Sequence, residues 1–65
     1  MNTPAPLLNA LKDLRHSIGF TAALCDTILL GRTMDARSAQ AKLQEALRML
    51  AQRAQQALDT LEDQP

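Results

Sequence analysis

On either side of Gly31, apolar residues recur at alternating gaps of four and three. The first half runs Leu7, Leu11, Leu14, Ile18, Thr21, Cys25, Ile28. The second runs Ala36, Gln40, Leu43, Leu47, Leu50, Ala54, Ala57, Leu61. A repeat near 3.5 residues keeps one stripe of a helix facing a neighbour, so it predicts helices packed nearly parallel with interlocking side chains. Leu8, Ala22 and Leu29 widen the first stripe, and Ala39, Ala46 and Leu58 widen the second. Leu and Ala supply most of the apolar content, while Val, Trp and Tyr are missing and Phe20 is the one aromatic. That composition favours helix over strand.

The helix ends are marked by local chemistry. Thr3 is a candidate N-cap ahead of Pro4, and proline suits a first helical turn because its missing N–H would have no partner there. Pro6 falls in the same turn. Gly31 stands where a left-handed C-cap is expected. Asp35 is the expected N-cap of the second helix, with Thr33 as the alternative, and Met34 with Ala39 occupies hydrophobic-staple positions. The sequence therefore predicts one domain over 1–65: a helix over 4–30, a turn over 31–35 and a helix over 36–62. Each helix is about 40 Å long at 1.5 Å per residue. Two equal helices joined by so short a turn fold back antiparallel, as a helical hairpin.

A chain of 65 residues has little core to stabilise it, and small domains recruit disulfides, metals or further copies for support. One cysteine and one histidine exclude an internal disulfide and a Cys/His metal cluster. Oligomerisation is left, and the expectation is an all-α hairpin that dimerises into a four-helix bundle. The formal net charge is zero with both signs interspersed, which argues against a nucleic-acid partner. The apolar run over 18–30 contains Asp26 and is shorter than the roughly 20 residues a membrane span needs. The N-terminal residues lack the pattern of a signal peptide. A reduced, cytoplasmic protein is the expectation.

No residue pair specifies a reaction. Cys25 and His16 are nine apart, half a turn out of phase at about 100° per residue, so they point to opposite sides of one helix. Cys25 is expected to pack as a small hydrophobe, and His16 to sit in solvent. Asp59, Glu62 and Asp63 read as a solvated tail, or as a handle for a basic partner. Gly19 is costly inside a helix and suggests a close backbone approach or a slight kink. Phe20, Leu24 and Thr27 form a second, narrower line beside the first stripe. Such a line suggests a further contact, the alternative being one broad stripe. Gln40 and Thr21 fall on the packing stripes, where polar residues fix register, unless they sit at the margin and reach water. The expected partner interface comprises Leu8, Phe20, Leu24, Leu29, Leu47, Met49 and Leu58. No catalytic residue, cofactor or metal is expected.

The succession of long helix, glycine-containing turn and long helix resembles, in size and layout, the small hairpin co-chaperones that hold needle subunits of bacterial type III secretion systems. The ending Ala57-Leu58-Asp59-Thr60-Leu61 is similar to that of short proteobacterial hairpin proteins of unknown function. Two functions follow as expectations. The leading one is a non-enzymatic protein–protein interaction module that self-associates through apolar helix faces. The alternative is a small bacterial chaperone or adaptor that offers its apolar face to a client helix.

Overall fold

A computed structural model describes residues 3–31 and 35–63. It is all-helical: α1 covers Ala5–Leu29 and α2 covers Ala36–Glu62. They pack against each other as a hairpin, with extents of 47 × 18 × 12 Å. The short dimension is that of a single helix, so the hairpin is one layer thick.

Helix α1 starts one residue later than Thr3-Pro4 suggested. Pro4 itself is the cap residue, extended at φ −58° and ψ 142°, and no side chain caps the end. Two prolines soften that loss. Of the four N–H groups that lack a helical acceptor at an N-terminus, Pro4 and Pro6 have none to leave unpaired, which leaves those of Ala5 and Leu7. The Leu8 N–H donates to the Pro4 carbonyl at 3.0 Å and starts the regular ladder. At the other end the Leu30 N–H reaches the Asp26 carbonyl at 2.9 Å and the Gly31 N–H reaches that of Ile28 at 3.1 Å. Gly31 then turns the chain out at φ 66°, a left-handed conformation that glycine adopts without steric penalty.

Asp35 caps α2 as its position suggested. Its carboxylate accepts the Ser38 N–H at 2.8 Å and the Ser38 hydroxyl at 3.2 Å. The backbone donor, with help from the hydroxyl, holds the Asp35 carboxyl below its ordinary pKa of 3.8. Thr33 and Met34, the alternative cap and the staple residue, lie outside the described residues.

The seam between the helices repeats at the expected spacing but in a different phase. The half-buried or buried residues that follow this spacing along α1 are Leu7, Ala10, Leu14, Ser17, Thr21, Leu24 and Ile28, with Cys25 and Thr27 half-buried on either flank; along α2 they are Ala39, Leu43, Ala46, Leu50, Arg53, Ala57 and Thr60. Leu11 and Ile18 are exposed, as are Ala36, Gln40, Leu47, Ala54 and Leu61, although the leucine-weighted pattern put all of them in the seam. Gln40 is therefore not a buried register residue. Thr21 is buried, and its hydroxyl donates to the Ser17 carbonyl at 2.7 Å, so the seam leaves that polar atom satisfied. Small side chains occupy the tightest points: Ser17, Thr21, Ala46 and Ala57, with Leu24 the one large residue buried among them. Leu24, expected at a partner interface, thus lies buried in the seam of the hairpin.

Gly19 has no neighbour to accommodate. A Cβ built there would meet nothing within 4 Å, so no backbone of the hairpin approaches it. Gly19→Ala is expected to stabilise the protein by about 0.5–1 kcal/mol through backbone entropy, read as a raised urea midpoint at fixed protein concentration. The Asp35 cap gives a second expectation. Because folding lowers its pKa, its contribution is present in full above the unfolded value of 3.8 and is lost as pH falls through the folded one. Asp35→Ala should lower the melting temperature at neutral pH, and the gap to the parent should shrink in acid below pH 3.8.

Candidate functional site

Stepping one residue along from each seam position turns about 100° around the helix and reaches one broad side of the hairpin. On α1 these residues are Leu8, Leu11, Arg15, Ile18, Ala22, Cys25 and Leu29; on α2 they are Gln40, Gln44, Leu47, Ala51, Ala54, Leu58 and Leu61. Both sets lie on the same side. Reversing the direction of the second helix reverses its sense of rotation in a common view, and its seam also faces the other way, so the two reversals cancel. Arg15 is the single charge among the fourteen residues.

Stepping back one residue reaches the opposite side, which differs in character. It carries Asp13, His16 and Phe20 on α1 and Lys42, Glu45, Met49 and Asp59 on α2. Phe20 and Met49 come together there with His16, Ser17 and Ala46 around an open notch of about 210 Å³. Ser17 and Ala46 both line that notch, and Ile18 and Leu47, the next residue on each helix, lie on the other side.

Among the described residues ten large apolar ones are exposed. Seven of them lie on the first side: Leu8, Leu11, Ile18 and Leu29 from α1, and Leu47, Leu58 and Leu61 from α2. Two, Phe20 and Met49, lie on the second, and Leu30 sits at the end of α1. The division decides which surface is the candidate. Scattered exposed leucines are ordinary, but a contiguous apolar stripe rimmed by polar residues marks a binding surface. Ile18 is 51% exposed and Leu47 49% in mid-face, so the centre of the stripe is as uncovered as the end that holds Leu8, Leu58 and Leu61.

The residues expected to form a partner interface are therefore divided three ways. Leu8, Leu29, Leu47 and Leu58 share the leucine side. Phe20 and Met49 form the notch on the other, and Leu24 is in the seam. Leu11, Ile18 and Leu61 belong to the leucine side but were assigned to the seam by the sequence pattern. The signal that separates them is the run of small residues one position earlier, at Ala10, Ser17 and Thr60.

No chemistry-bearing cluster competes with this face. Cys25 is half-buried and His16 exposed, on separate sides of α1. Among the described residues no group of three His, Cys, Asp or Glu side chains is placed to hold a metal ion, and no helix is long and apolar enough to cross a membrane. Arg53 lies along the seam and its guanidinium donates to the Gln56 side-chain oxygen at 3.1 Å. Gln55 donates to the Asp59 carboxylate at 2.8 Å, tying one acid of the C-terminal group to its own helix. No family model matches the chain, and neither a curated protein nor a solved structure matches it.

The small seam residues give a sharp expectation. Ala46 is 2% exposed between the helices, and a leucine there needs room that the hairpin does not have. Ala46→Leu should destabilise by about 1–3 kcal/mol through overpacking, measured by urea unfolding at fixed concentration.

Proposed function

We infer that the protein is a non-enzymatic interaction module that self-associates through its apolar helix faces. The observation that carries this reading is how little the hairpin covers of itself. A compact protein of 7.1 kDa exposes about 4,100 Å² by the size scaling of folded monomers, whereas this chain exposes 5340 Å². Among the described residues the buried apolar ones come to one leucine and two alanines, Leu24, Ala46 and Ala57. Hydrophobic burial is the main favourable term in folding, and a single layer of two helices has few places to achieve it.

Association supplies the missing burial, which makes folding and assembly one equilibrium. Mass action then links stability to concentration. The melting temperature should rise as the protein is concentrated, and sedimentation equilibrium should show a species of twice the chain mass or more at micromolar concentration. A monomer with a sharp melt that is independent of concentration would overturn the reading.

A further inference from the structure

We propose that the leucine side alone is the self-association surface, and that its occupant is the same side of a second copy. This deepens the self-association reading and rests on it. Two hairpins stacked on this side make a four-helix bundle in which Ile18 and Leu47 become core residues, while Phe20 and Met49 stay outside.

The areas fit this occupant. The 47 × 18 Å face of the hairpin has a footprint of about 850 Å², close to the roughly 800 Å² that each partner contributes to a standard stable interface. The surface exposed beyond that of a compact protein of this mass is of similar size, about 1,250 Å². Covering one broad side with an equal layer therefore removes about two thirds of the excess. Covering only the notch, with its volume of about 210 Å³, does not.

Charge points the same way. A two-fold interface brings each patch against its own image, so any charge in the patch meets like charge from the other copy. The leucine side carries only Arg15, on the outer edge of α1, and the chain has no net charge to repel a second copy. On the opposite side, Asp13, Lys42, Glu45 and Asp59 would have to be desolvated or paired. The leucine side is also uneven in relief. Large residues at Leu47, Leu58 and Leu61 are interspersed with Ala51 and Ala54 on α2, and Leu11, Ile18 and Leu29 with Ala22 on α1. Bumps and hollows of this kind let two layers interdigitate.

The test is sedimentation equilibrium of the full chain across a concentration series, with helicity followed by circular dichroism. The parent is compared with Ile18→Lys, Ile18→Ala and Phe20→Lys. Both positions are more than half exposed in the hairpin, so neither change clashes within one copy, and any loss of helicity on dissociation is followed in the same series. The dimer dissociation constant should rise at least about tenfold for Ile18→Ala, and further for Ile18→Lys, because each substitution enters the interface twice. Phe20→Lys should leave it within about twofold. Cys25, half-buried at the edge of the face, gives a readout on the unmutated chain. Its thiol should label more slowly as concentration rises through the dissociation constant. A dimer disrupted by Phe20→Lys and untouched by Ile18→Ala would overturn the choice of side. Equal weakening by both would overturn the one-sided interface. A parent chain that stays monomeric would instead remove the self-association reading beneath it.

Discussion

Everything in this fold follows from having one layer. Two helices side by side enclose a single line of contact, and a residue beside that line keeps at least one flank in water. Domains ordinarily escape this by setting a second layer of secondary structure on the first, so that apolar faces are covered from both directions. The described residues form one layer, in which α1 and α2 take up all but the ends and a short connection. Among the described residues no buried side-chain polar atom lacks a hydrogen bond, yet the burial of apolar surface is incomplete.

The division of labour around each helix follows from that constraint. The line of contact is made of residues that let two backbones come close: Ser17 and Thr21 on α1, Ala46 and Ala57 on α2. Their small size allows approach but contributes little apolar area, at about 25 cal/mol per Å² buried. The seam does hold Leu7, Leu14, Leu24, Leu43 and Leu50, but seven more large apolar residues stand one position further round, where about half or more of most of them stays in water. A single layer of two helices has no surface left with which to cover them.

The period of the pattern was legible in the sequence, and its phase was not. The number of helices, the Gly31 stop and the Asp35 cap were all readable, because each is a local matter of backbone geometry and hydrogen bonding. The seam was not, because two stripes with the same alternating spacing lie next to each other. Ser17 and Ile18 each fit the repeat in α1, as do Ala46 and Leu47 in α2. Choosing by hydrophobicity selects Ile18 and Leu47, whereas the close packing of just two helices selects Ser17 and Ala46. The start of α1 was misplaced for a related reason: Thr3 has the chemistry of a cap, yet the chain through Pro4 is extended and leaves that side chain unused.

The small-residue seam has a consequence for how such a chain can change over generations. Along Ser17, Thr21, Ala46 and Ala57, side chains are held to an upper size limit, and nearly every longer replacement wedges the helices apart. Along Ile18, Leu47 and Leu58 the limit runs the other way, and shape can vary freely so long as greasiness is kept. The two rules act on different codons and scarcely interfere. A lineage could therefore remodel the exposed leucine side, residue by residue, while the hairpin itself stayed the same.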